Sequence, residues 1–260
     1  TLQGTAEDDR IDAGAGDDVV SGEGGDDRIN GGEGDDVLYG DAGVGTAPGN
    51  DASPINLSSS NAYRGTENNA ESGDSAIYLN VATLEDGRSV VGRLVLVSTT
   101  NDDMPIDLTG GNGSEILLNS GRGGSSRFEG ETATFRLEFY DRETLQPIAL
   151  NATATFNDLD RNNPGDQESV TLDTNSFTSF ATSDDTSLNV TNADGTVTAA
   201  GTEANSPDDQ DAWFSGQFEN REFIEFTLET RSTQSGFTLS GDLIDDAVVT
   251  PIEAGNDTIL

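Results

Sequence analysis

The sequence predicts an all-β chain in which a parallel β-roll is interrupted by an inserted antiparallel β-sandwich of jelly-roll-like type. Four units of nine residues follow one another at the start of the chain, and partial copies of the unit return at its end. Between them, apolar and polar residues alternate with the period of two that is typical of half-buried strands. We therefore expect residues 1–54 to form the first part of the roll, residues 55–240 the sandwich and residues 241–260 the resumed roll.

The nine-residue units carry an aspartate at the sixth position and an aliphatic residue at the eighth. Glycines allow the positive φ angles of a tight turn. We therefore expect six residues of each unit to form a turn and three a strand, with two units making one coil around a thin aliphatic core. The units are Gly4–Asp12, Ala13–Ser21, Gly22–Asn30 and Gly31–Tyr39, with aspartates Asp9, Asp18, Asp27 and Asp36 and aliphatic residues Ile11, Val20, Ile29 and Leu38.

The same units predict binding sites for a hard cation. Carboxylates of stacked coils meet inward-pointing backbone carbonyls, and together they offer the roughly six to eight oxygen ligands that calcium prefers. Without the ion the carboxylates repel one another, and little apolar area offsets the chain entropy. We therefore expect this segment to be disordered in chelator and to fold with calcium. The candidate ligands are the four aspartates and the glycines Gly14, Gly16, Gly22, Gly24, Gly31, Gly32 and Gly34.

The array resembles the repeats of RTX (repeat-in-toxin) proteins, whose unit reads G-G-x-G-x-D-x-U-x. Two segments near the end agree with this pattern. Gly255–Leu260 matches positions four to nine and supplies Asp257, and Gly241–Val249 is a degenerate copy with its acid at Asp246. The resemblance implies several bound Ca²⁺ ions, secretion by the type I route, and a fragment of a large adhesin of the bacterial cell surface that continues at both ends.

The composition narrows the functions that the chain can have. It has no Cys, no His and no Lys, because all twelve basic residues are Arg, and its net charge is −37. Protease sites built on His or Cys and lysine Schiff bases are thereby excluded. The negative charge argues against nucleic acid and membranes as partners. A pair of acids suited to glycoside hydrolysis carries no information in a chain with 49 acids. We expect no enzyme, with a secreted hydrolase as a distant alternative.

The insert contains ten candidate strands separated by Gly, Asn, Asp and Ser. The Asp194–Gly195 step predicts a hairpin turn between two of them. This pattern favours a β-sandwich. Because both ends of the insert must rejoin the roll, we expect them to lie close together. The candidate strands are residues 76–84, 90–98, 115–119, 132–140, 148–156, 169–172, 187–191, 196–200, 223–230 and 237–240.

One acidic loop of the insert has the spacing of a calcium-binding loop. Asp158, Asp160 and Asn162 alternate as the first, third and fifth ligands of such a loop do. Asp166 or Glu168 would then close the coordination shell. The alternative is an ordinary acidic turn in which the Asp and Asn side chains cap their own backbone.

A second acidic loop, Ser206–Phe214, holds the only Trp of the chain. Asp208, Asp209, Asp211 and Trp213 suit a calcium-dependent sugar site, in which acids hold the ion and an aromatic face packs against the apolar C–H surface of the sugar. The alternative is that Trp213 begins a strand and lies in the core.

Two functional hypotheses follow for the insert. It is either a ligand-binding, lectin-like domain of an adhesin or a purely structural spacer that calcium makes rigid. The expected partner of a binding domain is a cell-surface or matrix glycan, or else a peptide. An ion with open coordination positions and an exposed Trp213 would favour binding, whereas a closed ion shell and a buried Trp213 would favour the spacer.

Overall fold

The computed structural model describes residues 2–5, 8–22, 27–39, 49–65, 69–110, 116–121, 123–252 and 258–259. Within these ranges the chain is all-β, with strands, three short 3-10 helices and no α-helix. No helix of these ranges therefore has the length and apolar character to cross a membrane. The 3-10 helices are Ser59–Asn61, Ser126–Phe128 and Gln210–Ala212.

The strands fall into an N-terminal group, a long middle group and one C-terminal strand. The N-terminal group comprises β1 (Leu2–Gln3), β2 (Arg10–Asp12), β3 (Val19–Ser21), β4 (Arg28–Asn30) and β5 (Val37–Tyr39). The middle group comprises β6 (Asn50–Asp51), β7 (Asn56–Leu57), β8 (Ala62–Arg64), β9 (Ser75–Thr83), β10 (Ser89–Thr99), β11 (Ile106–Asp107), β12 (Ile116–Leu118), β13 (Thr132–Asp141), β14 (Leu150–Asn157), β15 (Arg161–Asn163), β16 (Asp166–Gln167), β17 (Ser169–Asp173), β18 (Ser179–Ser183), β19 (Asn189–Ala193), β20 (Thr196–Ala200), β21 (Phe214–Arg221), β22 (Phe223–Glu229), β23 (Ser235–Ser240) and β24 (Ala247–Pro251). The last strand is β25 (Thr258–Ile259).

The N-terminal strands form a parallel β-roll. Strands β1, β3 and β5 make one sheet, and β2 and β4 lie in the other. Arg10 pairs with Arg28, and Val19 pairs with Val37, so strands on one side of the roll are two nine-residue units apart. Val20 and Ile29 are fully buried between the two sheets. The predicted coil of two units around an aliphatic core is therefore confirmed.

The roll resumes after the insert. Strand β25 pairs in parallel with β4, with Thr258 beside Arg28. This is the place that the strand following β5 takes in a roll, because successive strands alternate between the two sheets. The middle group of strands is therefore spliced into the roll between β5 and β25, and the C-terminal repeat adds to the same stack as the N-terminal ones.

The middle group forms a sandwich of two large, mainly antiparallel sheets. One sheet has eight strands in the order β19-β20-β17-β22-β13-β10-β9-β8. The other has nine strands, with β11-β12-β23-β14-β21-β18-β24 in sequence, β6 beside β14 and β7 beside β23. Aromatic rings fill the core, including a stacked pair formed by Phe139 and Phe218 with centroids 5.6 Å apart. The buried cluster of the described residues runs from Ile55 to Ile252 and includes no residue of the roll.

Each of the ten predicted strands coincides with an observed one. The hairpin turn is also present, with positive φ at Asp194 and at Gly195. Strands β18, β21 and β24 are absent from the ten predicted strands, as are the short strands β6, β7, β8, β11, β15 and β16. Every residue of β18 is buried, so its sequence lacks the alternation that reveals a strand with one exposed face.

The chain enters and leaves the sandwich at neighbouring positions, as expected. We call residues 49–57 the incoming segment and residues 240–252 the outgoing segment. Leu57 pairs with Leu239, and the Asn56 side-chain Nδ2 donates a hydrogen bond of 2.7 Å to the Ser240 carbonyl. The two ends of the insert are thereby joined directly to each other.

The predicted limits of the insert need correction at both ends. Strand β6 already pairs with β14, although it precedes residue 55. The degenerate repeat predicted at residues 241–249 is not part of the roll: β24 pairs antiparallel with β18, with Val248 opposite Thr182. Val248 is 49% exposed and fills no core, and Asp246 lies in an exposed turn and not at a coil position. From the strand pairing we propose that the sandwich extends from the start of β6 to the end of β24.

Candidate functional site

The sixth-position aspartates of the roll stack in register from one coil to the next. The Asp9 backbone N–H donates to Asp27 Oδ1 at 2.8 Å, and the Asp18 N–H donates to Asp36 Oδ1 at 2.9 Å. Asp27 is only 2% exposed. Two columns of carboxylates therefore run along the roll, one formed by Asp9 and Asp27 and the other by Asp18 and Asp36.

Backbone carbonyls line the turns next to these carboxylates. The carbonyls of Gly14 and Gly16 face Gly32 and Gly34 one coil later, and a Cβ at either of the later glycines would overlap them. A Cβ on Gly31 would likewise overlap the carboxylate of Asp36. A Cβ on Gly4 would overlap the Gly22 carbonyl oxygen and lie 2.9 Å from Asp9 Oδ2, so carboxylate and carbonyl oxygens lie in the same turns. Such an all-oxygen donor set suits a hard cation such as calcium.

The structure describes most of the predicted calcium ligands of the roll, but not all of them. Gly22 and Gly31 continue the chain directly from β3 and β4, and the Gly22 N–H donates to the Tyr39 carbonyl at 3.0 Å. Gly24 and Asp257 lie outside the described residues. Within the described ranges, no three acidic side chains are placed to hold a metal ion by themselves. Calcium at these positions would therefore need the backbone carbonyls as ligands.

The predicted calcium loop of the insert makes ion pairs and hydrogen bonds within the protein. Asp160 forms an ion pair of 2.8 Å with Arg231, and Glu168 approaches the Arg231 Nε at 3.2 Å. Asn162 Nδ2 donates to Asp166 Oδ2 at 3.3 Å, and Asp166 also accepts hydrogen bonds from the backbone and side chain of Ser232. The acids do converge, and the positive group that two of them contact is the guanidinium of Arg231. Metal binding by this loop stays a prediction.

In the Arg231 cluster, Asp160 and Glu168 pair with a single guanidinium, and Asp158 lies close enough to interact with its charge. Burial raises the pKa of Glu168 to about 8, against the opposing effect of Arg231. Burial, with repulsion from Asp160, raises the pKa of Asp158 to about 6. Asp158 also has a positive φ of 63°. Burying these carboxyl groups in a tight turn therefore costs free energy, and the positive charge of Arg231 offsets part of that cost.

We expect Glu168 to make the stability of the folded chain depend on pH. The pKa of a glutamate in the unfolded chain is about 4.3, whereas burial raises the pKa of Glu168 to about 8. Between these values the folded state holds a proton that the unfolded state has lost, so this contribution to stability is lost as the pH rises through 8. In thermal unfolding at pH 6 to 9, Glu168→Gln should flatten the fall in Tm. The exposed control Glu143→Gln should keep the wild-type slope, and a wild-type slope in Glu168→Gln would refute the assignment.

The predicted sugar loop divides into buried and exposed parts. Trp213 is only 6% exposed, and its indole Nε1 donates to the Pro207 carbonyl at 3.0 Å. Asp208 lies in the turn that leads into the 3-10 helix, Asp209 follows it, and both are exposed. Trp213 therefore takes the core-side position of the alternative interpretation and offers no open aromatic face.

Asp211 belongs to a local acidic cluster. Burial raises its pKa, and so does the negative charge of Asp209, Asp185 and Glu203 around it. Its backbone carbonyl accepts hydrogen bonds from the Thr186 hydroxyl and from the backbone N–H of Ser187. The predicted ligand residues Asp208, Asp209 and Asp211 are thus neighbours along the chain, and Asp208 borders a cavity together with Trp213.

Two adjoining grooves, which the sequence did not predict, lie on the outer face of the nine-stranded sheet. One has a volume of about 660 Å³ and is bordered by Asp208, Gln210 and Trp213. The other has a volume of about 360 Å³ and is floored by β14 and β21. Pro54 and Leu243 border both grooves. The lining comes from segments far apart in the sequence, so no local motif signals it.

Comparisons with known proteins agree with this picture of the N-terminal segment. Residues 1–29 and 18–47 match the family model of the RTX calcium-binding nonapeptide repeat (4 copies). A comparison with curated proteins gives no match.

Among solved structures, the chain is similar to the N-terminal domain of the Streptococcus gordonii adhesin Sgo0707, at 10% identity and a TM-score of 0.49. That similarity covers 76% of this chain and 62% of the adhesin domain. The chain is also similar to the glucan binding protein C of Streptococcus mutans, at 15% identity and a TM-score of 0.45, over 68% of this chain and 60% of the other. The chain thus spans about 60% of the length of either structure.

At these TM-scores neither structure assigns a function to the sandwich. The N-terminal segment is different, because its sequence match coincides with a parallel roll whose aspartates stack in register. Residues 1–47 are an array of RTX calcium-binding nonapeptide repeats.

Proposed function

We propose that the chain is an extracellular, calcium-assembled adhesion module in which the RTX roll holds a carbohydrate-binding sandwich. The observation that carries this proposal is the splice of the sandwich between β5 and β25. Because β25 stacks on β4, the roll closes only when both ends of the insert are brought together. Calcium binding to the roll then fixes how the sandwich is held relative to the rest of the protein.

The local calcium concentration also determines where and when the module folds. Cytosolic calcium is far below the outside level, so the roll stays unfolded during export and folds on arrival. The binding free energy of the ions then contributes directly to the folding free energy. The net charge of −37 suits such a setting, since dissolved divalent cations screen or bind the carboxylates.

A purely structural spacer is the second candidate function. Two observations favour it: Trp213 is buried, and Arg231 pairs with Asp160 and Glu168 of the loop that was predicted to bind an ion. In this alternative the sandwich binds no ligand, and calcium only makes the assembly rigid. Neither candidate requires an enzymatic group.

A glycan-array screen of the labelled chain separates the two functions. The screen is run once in millimolar calcium and once in chelator, with folding in calcium verified by circular dichroism. We expect calcium-dependent binding to a defined class of sugar. A folded chain that binds no glycan in calcium would overturn the carbohydrate-binding function and leave the spacer.

A further inference from the structure

We propose that the groove between the incoming and outgoing segments is the ligand site of the sandwich and that it takes a neutral oligosaccharide. This inference rests on the proposed carbohydrate-binding function and gives it a location and a class of sugar. The site is the pair of adjoining grooves on the outer face of the nine-stranded sheet. It does not use the acidic loop that the sequence favoured, except for Asp208 and Trp213 at its border.

The floor of the site is the outer face of two adjacent strands. Asn151 and Thr153 lie on β14, and Gln217 and Glu219 lie on β21. Thr153 pairs with Gln217 in the antiparallel register, so the polar side chains of the two strands form neighbouring pairs across the floor. A β-sheet presents such pairs at regular intervals, which gives an extended ligand a series of equivalent hydrogen-bonding positions.

The walls of the site are held in place by hydrogen bonds. Asn151 Nδ2 donates to Asp51 Oδ1 at 2.8 Å, which fixes the incoming segment to the floor. At the other end, the Asp245 backbone N–H donates to Gln210 Oε1 at 2.8 Å, and Gln210 Nε2 donates back to the Asp245 carboxylate at 3.3 Å. Walls that are already ordered lower the conformational cost of binding.

The lining combines the two kinds of contact that a sugar needs. Beyond the hydrogen bonds that they make within the protein, Gln217 can donate from Nε2, and the amide oxygens of Asn151 and Gln210 each keep a lone pair that can accept from a hydroxyl group. Leu243 stands where the two grooves meet and is 55% exposed, although it is a large apolar residue. Its side chain, with the ring of Pro54 beside it, offers an apolar contact for the C–H face of a sugar ring. A fully polar or charged ligand would make no apolar contact with Leu243.

The charge of the site selects among sugars. Five acids border the grooves, and none of the described residues that line them is arginine; the acids are Asp51, Asp208, Glu219, Asp242 and Asp245. Carboxylates accept hydrogen bonds from sugar hydroxyls, but they repel sialic acids and sulfate groups. The site therefore favours a neutral sugar over an anionic one. A basic peptide is the competing cationic ligand, and it is an outcome of the test below.

The position of the walls also explains how calcium bound to the roll can affect ligand binding at this site. The incoming segment follows β5 of the roll, and the outgoing segment leads to β25. Folding of the roll by calcium therefore restrains both walls from the outside. Calcium acts on ligand affinity through the roll, and no ion needs to contact the sugar.

The test compares two matched double variants in calcium. Gln217→Ala with Leu243→Ser changes one side chain of the floor and the apolar residue that borders both grooves. The control, Leu145→Ser with Gln146→Ala, makes the same changes at exposed residues outside the groove lining. The probes are short neutral oligosaccharides of the class bound on the array, one sialylated and one sulfated oligosaccharide, and an arginine-rich peptide, measured by titration calorimetry. We expect the groove variant to lose about tenfold or more in affinity for the neutral sugar and the control to match the wild type.

Each outcome bears on one of the two proposals. A glycan that binds both double variants equally would overturn the groove while leaving the carbohydrate-binding function in place. Binding of the anionic sugars or of the peptide in preference to the neutral sugar would overturn the ligand class. If the groove double variant does not fold, Asp242→Arg replaces it, because this exposed wall residue can block the groove without touching the core. It should abolish binding, and unchanged affinity would overturn the site.

Discussion

Replacing Asp18 and Asp27 together by alanine should raise the calcium concentration at which the roll folds, on the order of tenfold for each carboxylate removed, since ligand charge sets calcium affinity over a wide range. The two residues sit in different carboxylate columns, and each column also contains a partner one coil away. The double variant therefore weakens both columns. The folding of the roll is followed as protection of backbone amides of residues 8–39 from hydrogen exchange, across a calcium titration.

The repeat itself supplies the matched control. Each unit has a second acid at the fifth position, and Asp17 and Asp35 are exposed, in contrast to Asp27. Asp17→Ala with Asp35→Ala removes the same charge from the same stretch of chain and loses only an exposed hydrogen bond of 3.0 Å. If both double variants shift the midpoint equally, general charge and not coordination governs the transition, and the assignment of the sixth-position aspartates as ligands is wrong.

The roll was predictable because its constraints repeat along the chain. The same acid and the same aliphatic residue recur in every unit, so a coil of two units follows from counting. Val20 and Ile29 are buried as that count requires. Even the return of the chain to the roll follows, since β25 lies in a segment with the same pattern. A repeating pattern of this kind can be recognised without knowledge of the tertiary structure.

The sequence is least informative where a distant segment decides the local structure. The pattern of residues 158–168 predicts a calcium loop, but the sequence does not reveal that Arg231, some seventy residues later, pairs with Asp160. Residues 247–251 contain β-branched residues that suit either kind of strand, and only pairing with β18 assigns them to the sandwich. The grooves are the extreme case, since their lining is assembled from both ends of the insert.

Gly32→Ala should disrupt the stacking of coils far more than Gly14→Ala, although the two glycines have the same φ of 97°. An alanine at such a φ costs about 1–2 kcal/mol at either position. At Gly14 the added Cβ meets no atom within 4 Å, whereas at Gly32 it overlaps the Gly14 carbonyl of the preceding coil. Relieving that overlap must push the coils apart, which adds roughly 1–3 kcal/mol as for other overpacked sites.

The consequence for the whole chain distinguishes the roll from the sandwich. In saturating calcium, Gly32→Ala should lose amide protection in β2 to β5, while β13, β14 and β21 stay protected because the sandwich core runs from Ile55 to Ile252 without any residue of the roll. Gly14→Ala should keep protection in both parts at a slightly higher calcium midpoint. Equal losses in the two variants would show that the φ angle alone is responsible. Such a result would remove the close approach of carbonyl and glycine from the description of the calcium site.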